Sequence, residues 1–345
     1  MTVDPRRVAA AHALLAQLGV SVEDLQAAPA EVPAMPTVAQ YLPRVQAAAS
    51  PSSCRTYGTY WARMVQAWGD WPLDTVAATD VEALQRDCAA SALRRANGRG
   101  GRHAGENVIS AARAFFTRAI ADGFIAVGAS PAHQVSKPRR LPSHRRALTA
   151  RELADINTVA RTSGNDVVLD ALLLRLHTET ACRRGGALAL RLIDLDVRQG
   201  LVRLREKGET LRWQPITLDL AARLLEHAAA RGAALPGDQL LRFRNGSGLT
   251  SRRYDQMWKR IGQRLPWVAA QNVSTHWLRH TTLTWVERNF SYGIARAYAG
   301  HTDNTGPATT TYIKADLQAV ATALAALTGQ PHPLATTLEE LGFRG

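Results

Sequence analysis

From Thr37 to about Gln134, apolar residues return every three or four positions, in runs such as "TVAQYLPRVQAAA", "CRTYGTYWARMVQAWG" and "AGENVISAARAFFTRAIADG". That period puts one apolar stripe on each helix and predicts a small helical domain. The second half behaves differently. A capped helix "TARELADINTVA" is followed by a nearly all-apolar stretch from Val167 to Leu176, a turn at "TACRRGG", and two runs, "LVRLR" and "TLRWQPIT", that alternate apolar and polar residues around "EKGE". Alternation on both sides of a short polar turn predicts a β-hairpin. Helical spacing then resumes over Leu218–Arg231, Ser251–Arg264, Thr275–Asn289 and Ala315–Thr328. The expected fold class is mainly α, with a small hairpin or sheet in the second, mixed α/β domain.

The clearest break in this pattern is "KPRRLPSHRR", Lys137 to Arg146, where two prolines and five basic residues interrupt both helix and strand. The expected division is a helical extension over residues 1–36, a helical domain over 37–136, a basic linker over 137–146, a larger domain over 147–314 and a C-terminal helix and tail over 315–345. In that last segment Leu317, Val320, Leu324 and Leu327 share a face, and Gly329 with Pro331 supplies a stop. Such a stripe needs something to pack against, either its own domain or a neighbouring protomer.

Charge narrows the class of partner. The 345 residues carry 42 Lys+Arg against 29 Asp+Glu, a formal net charge of +13. Arginine dominates the basic set, and its forked guanidinium suits phosphate oxygens, so a nucleic acid is the expected partner. Candidate DNA contacts are Arg94, Arg95, Arg99 and Arg102 in the glycine-rich connector "RRANGRGGRHAGE", then Lys137, Arg139, Arg140, Arg145 and Arg146 in the linker, and Arg252 and Arg253 at a helix start. The three cysteines, Cys54, Cys88 and Cys182, are far apart and suggest neither a disulfide framework nor a zinc spacing, as expected of a cytoplasmic protein. No membrane partner is expected either, because the most apolar run, "VVLDALLLRL", carries Asp170 and Arg175.

Candidate chemistry gathers late in the chain. In "STHWLRH", Ser274 or Thr275 caps a helix and places His276, Arg279 and His280 on its first turns, where free N–H groups already favour an anion. Arg183 and Arg184 follow a buried helix, and Lys207 lies at the hairpin tip. In "YAGHTDNTGPATTTYIKAD", His301 precedes Tyr312. A tyrosine can act as a covalent nucleophile, but with a reference pKa near ~10 it needs a base and surrounding cations. Taken singly, each residue has a plainer reading as a cap, a solvated cation or a packing group. Together they are what a metal-free phosphodiester transfer requires.

This ordered set resembles the tyrosine recombinase, or phage-type integrase, family. "TACRRGGALALRLIDLD" is similar to the family's arginine motif with Arg183 as the catalytic arginine, although Ala181 stands where the family usually has glycine. The hairpin lysine falls on Lys207, the H-x-x-R on His276 and Arg279, the G-H on Gly300 and His301, and the nucleophile on Tyr312. The resemblance implies a helical core-binding domain joined to a catalytic domain, cutting and rejoining of duplex recombination sites through a 3′-phosphotyrosyl intermediate without metal, cofactor or ATP, and a tetramer on DNA that passes through a Holliday junction. It also allows a directionality or accessory DNA-bending partner, and a C-terminal segment docked on a neighbouring protomer. Three alternatives remain at this point: a non-cutting DNA-binding regulator on the same fold, a type IB topoisomerase-like enzyme, and a nuclease or transposase holding magnesium on Asp194 and Asp196 of "IDLD".

Overall fold

Thr37 opens the helical half through a reciprocal cap. Its hydroxyl accepts from the Gln40 backbone N–H at 3.3 Å, and the Gln40 side chain accepts from the Thr37 N–H at 3.0 Å. The computed structural model describes residues 4–23, 34–92, 102–138, 145–205, 211–300 and 317–336, and the chain divides into two units, Met1–Leu141 and Pro142–Gly345.

In the first unit, α1 (Pro5–Leu18) is followed by α2 (Val38–Ala48), α3 (Pro51–Trp68), α4 (Ala78–Ala90), α5 (Arg102–Ala121) and the short α6 (Pro131–Gln134). Ser50 caps α3 with Pro51 at its first position. Trp61, Met64 and Trp68 then fall on one face and are buried, together with Phe115 and Phe116 of α5. The Trp61 indole N–H donates to the Ala111 carbonyl at 3.0 Å, so the largest side chain of this core is buried without an unsatisfied donor.

The second unit contains α7 (Ala150–Thr162), α8 (Val167–Thr180), α9 (Arg184–Leu188), β1 (Leu195–Asp196), β2 (Leu201–Arg205), β3 (Leu211–Pro215), α10 (Leu218–Ala230), α11 (Ser251–Arg264), α12 (Pro266–Ala270), α13 (Thr275–Asn289), α14 (Tyr292–Ala299) and α15 (Leu317–Thr328). The three strands form one antiparallel sheet in the order β1-β2-β3, with Arg203 opposite Trp213 and Leu204 opposite Arg212. Helix α8 is the centre of this unit, packed by α7, α10 and α13. It is apolar almost all round because almost all of it is buried. Its polar residues are paired inside: Asp170 accepts from Arg253 Nε at 2.7 Å and also from Arg260, and Glu179 accepts from Arg175 Nε at 2.6 Å and from the Thr217 N–H at 2.8 Å.

Helix α15 packs on the second unit of the chain. Val320, Ala323 and Leu324 are buried against Ala181, Val286, Ala295 and Tyr298 of the same chain, so the apolar stripe is satisfied within its own unit. The residues beyond it are held there too. Gly329 takes φ +66° as the helix ends, the buried His332 ring hydrogen-bonds the Gly200 carbonyl at 3.0 Å, and the Thr336 N–H donates to Thr322 Oγ1 at 3.0 Å.

Candidate active site

The turn after α8 sets the geometry. Ala181 ends the helix with φ +49° and ψ +22°, the left-handed region, and is fully buried. An L-residue there costs roughly 1–2 kcal/mol, which is the physical reason for a glycine at this place in the family motif. The turn sends Arg183 and Arg184 in different directions. Arg184 is exposed and donates to Asp255 Oδ1 of α11 at 3.1 Å, while Arg183 is half-buried and lies close enough to His276 to depress that ring's pKa.

Arg279 is attached to the same turn. Although only 4% exposed, it donates from Nη1 to the Ala181 carbonyl and from Nη2 to the Ala299 carbonyl at 2.8 Å. Two helix C-termini, those of α8 and α14, thus fix the guanidinium without neutralising it. The Thr282 hydroxyl donates to the Thr178 carbonyl at 2.8 Å, a second tie between α13 and α8. His276 is exposed at the start of α13, one turn before Arg279. Its pKa lies below the usual 6.5, from partial desolvation first and then from Arg145, Arg279, His280 and Arg183. Arg145 reaches this group because the Leu148 N–H donates to Thr281 Oγ1 at 2.9 Å, laying the segment before α7 along α13.

Gly300 ends α14 with φ +67°, and a Cβ there would run into the Arg212 side chain of β3. The left-handed backbone therefore favours glycine immediately before His301, and a larger residue would also displace the end of the Arg212 side chain. Arg212 was not singled out in the sequence; its only signal is its position one residue into the strand after the hairpin tip. His301, Tyr312 and Lys207 lie outside the described residues, as do Arg94, Arg95, Arg99, Arg139 and Arg140. Arg102 opens α5, and its side chain is likewise outside them.

Among the other candidate DNA contacts, Lys137, Arg145 and Arg252 are exposed. Arg146 donates to Glu152 Oε2 at 2.7 Å, and this pairing holds the Glu152 carboxyl down at about 2. Arg253 is a correction. At 3% exposure it donates to Asp170 Oδ1 at 2.7 Å, Asn165 Oδ1 at 2.7 Å and the Asp166 carbonyl at 3.0 Å, so it ties α11 to α8 inside the core. Asp194, offered above as a magnesium ligand, is fully buried and already accepts from Arg203 at 2.9 Å, from both Arg205 terminal nitrogens at 2.7 and 2.8 Å and from the Arg191 N–H at 3.1 Å. Asp196 accepts from the Gln199 N–H at 3.0 Å. A cavity of about 650 Å³ between α8 and α10, lined by Val168, Ala171, His227 and Arg231 among others, includes none of the described candidate catalytic residues, Arg183, His276 and Arg279. No helix among the described residues is long and apolar enough to cross a membrane.

Residues 146–318 match the family model described as "Phage integrase family". The fold is similar to that of a lambda integrase dimer bound to a COC′ core site, with a TM-score of 0.58 at 17% identity over 90% of this chain and 87% of that one. A lambda integrase tetramer bound to a Holliday junction gives a TM-score of 0.58 at 17% identity, covering 88% of this chain and 89% of that one. The Tn1549 transposon integrase in complex with circular intermediate DNA gives 0.61 at 16% identity, covering 89% and 98%. No match was found among curated protein sequences.

Proposed function

Since the chain belongs to the phage integrase family, we propose that it is a site-specific DNA recombinase that cuts and rejoins duplex DNA through Tyr312. The observation that carries this reading is the anchoring of Arg279, one helical turn after His276, to the turn that bears Arg183 and, through Ala299, to the backbone that leads into His301. The tyrosine oxygen attacks a DNA phosphorus, the bond from phosphorus to the 5′-oxygen breaks, and a 3′-phosphotyrosyl link forms. His276 takes the phenolic proton; its lowered pKa leaves the ring neutral at pH 7 and ready to accept it. Lys207 returns a proton to the leaving 5′-oxygen, and His301 donates to a phosphate oxygen. Arg183 and Arg279 hold the non-bridging oxygens and offset the charge that builds in the transition state, the role metal ions play elsewhere.

The phosphotyrosyl bond keeps the energy of the broken one, so resealing needs no ATP. Exchange between two sites then proceeds through a Holliday junction in a tetramer. Two solved relatives of this fold are described as a dimer on a core site and a tetramer on such a junction. A directionality or DNA-bending protein is the natural accessory partner.

The arginines provide the test that separates catalysis from a binding-only regulator. Arg183→Ala and Arg279→Ala should each slow cleavage by about 10²–10³-fold, the usual effect of losing one transition-state donor. Affinity should fall far less, because many cations share the salt-dependent binding. Binding lost in proportion to cleavage would make these residues anchors and would sink the mechanism.

A further inference from the structure

The turn that carries Arg183 is strained at Ala181 and held by side chains on both sides of it. The Ala181 N–H donates to the His177 carbonyl at 3.0 Å, and its own carbonyl accepts from Arg279. The Cys182 N–H donates to Thr180 Oγ1 at 3.2 Å, and that hydroxyl donates on to the Leu176 carbonyl at 2.6 Å. The Cys182 carbonyl, the last peptide group before Arg183, faces His177 Nδ1 at 3.1 Å. On the far side of the ring, His177 Nε2 lies 2.9 Å from the Tyr254 hydroxyl of α11, and the two rings meet edge to face with centroids 5.4 Å apart.

Carbonyl chemistry assigns the protons. Nδ1 lies 3.1 Å from the Cys182 carbonyl and 3.4 Å from the Cys182 thiol; a carbonyl can only accept, so the shorter contact puts the hydrogen on Nδ1, which donates to Cys182. In the neutral ring Nε2 is then the acceptor, and Tyr254 must be the donor. Burial raises the Tyr254 pKa well above its usual value, which keeps that hydroxyl protonated. His177 is 1% exposed and Tyr254 also 1%, so solvent supplies neither bond.

We propose that His177, its tautomer and tilt set by Tyr254, is a positioning residue that aims Arg183 by holding the Cys182 carbonyl. Losing the bond lets this peptide rotate, and the arginine that follows it moves with it. The inference rests on Arg183 acting on the reacting phosphate, and it adds a layer behind the reacting residues that neither charge nor sequence spacing discloses.

Two near-isosteric replacements separate aiming from packing. Asn places an N–H close to where Nδ1–H stands and keeps the Cys182 bond, whereas the Gln amide extends toward Tyr254 and gives that bond up. Both remove the ring. The probe is a nicked duplex recovered by covalent capture from a randomised pool with the native protein. Single-turnover covalent-complex formation at saturating DNA is measured beside DNA affinity and thermal unfolding, and crystal structures of both variants locate Arg183. His177→Gln should slow cleavage by about 10–10²-fold at unchanged affinity, the usual penalty for a misplaced reacting group. His177→Asn should stay close to the native rate, and Tyr254→Phe should fall between them. Equal rates in the Asn and Gln variants, or rates that merely follow their melting temperatures, would overturn the proposal. If the native protein captures no DNA, the recombinase reading is what fails. The crystal structures still decide the aiming, which is refuted if Arg183 occupies the same place in the Gln variant as in the native protein.

Discussion

Arg252 and Arg253 are neighbours at the start of α11, and the structure gives their replacements opposite consequences. Arg253→Ala removes three hydrogen bonds, to Asp170 Oδ1 at 2.7 Å, Asn165 Oδ1 at 2.7 Å and the Asp166 carbonyl at 3.0 Å, in a site where Asp170 is fully buried. Breaking a buried pair from one side costs about 3–5 kcal/mol. Arg260 still contacts Asp170 and should keep the loss near the lower end. For a unit of roughly 200 residues, each kcal/mol moves the melting temperature by about 2–4 °C, so a drop of about 6–12 °C is expected. Below the new transition, DNA affinity and its salt dependence should be unchanged. Arg252→Ala should leave the melting temperature alone and, if the exposed side chain meets a phosphate, lower the salt slope by about one. Circular-dichroism melts and fluorescence anisotropy across a salt series read both quantities. An Arg253→Ala protein with an unchanged melt and a reduced salt slope would refute the assignment of this residue to the core.

Truncation after Lys314 removes α15, and the buried Val320 and Leu324 alone are worth about 1.5–3 kcal/mol each, a large part of a typical domain's stability. The truncated protein should therefore unfold or precipitate; a soluble, cooperatively melting product would show that the helix is not part of this core. Ala181→Gly relieves a left-handed alanine worth roughly 1–2 kcal/mol but gives up a buried methyl worth about 0.8 kcal/mol, so denaturant unfolding should show a gain of up to about 1 kcal/mol. A clear loss would count against the strain. Burial, with Arg231 adding to it, holds His227 at about 4, so the unfolded chain binds its proton first as pH falls below 6.5. Stability should drop by about 3 kcal/mol between pH 6.5 and 4, at 1.36 kcal/mol per pH unit, and His227→Gln should flatten that slope. If His276 is the base, the acid limb of the cleavage rate should lie below pH 6.5, because its pKa is depressed and protonation removes the acceptor; a limb above 6.5 would point to another group.

Local rules made much of the fold readable. The helices over Ser251–Arg264 and Thr275–Asn289 carry their own period and stops, and the hairpin strands alternate, so tertiary context had little to override. The arginine motif and H-x-x-R were legible for the same reason: a short spacing fixed to a helix end leaves a mark. Long-range pairing leaves none. Asp170 and Arg253 lie 83 residues apart, so nothing local separates the buried Arg253 from the exposed Arg252. Nothing local marks His177, which the fold bonds to both Cys182 and Tyr254. The stripe on α15 was visible, but a stripe says only that a partner exists; in this structure it lies against the Tyr298 cluster.

The central claim is that Tyr312 forms a covalent bond with DNA. Native protein and Tyr312→Phe are each incubated in excess EDTA with a randomised pool of nicked duplexes, denatured and resolved by electrophoresis, and the retained species is digested and sequenced by mass spectrometry. The native protein should give a slow-migrating species whose modified peptide contains Tyr312, while the Phe variant binds duplex DNA yet gives none. A covalent species from the Phe variant, a link on another residue, or strict dependence on added magnesium would contradict the mechanism.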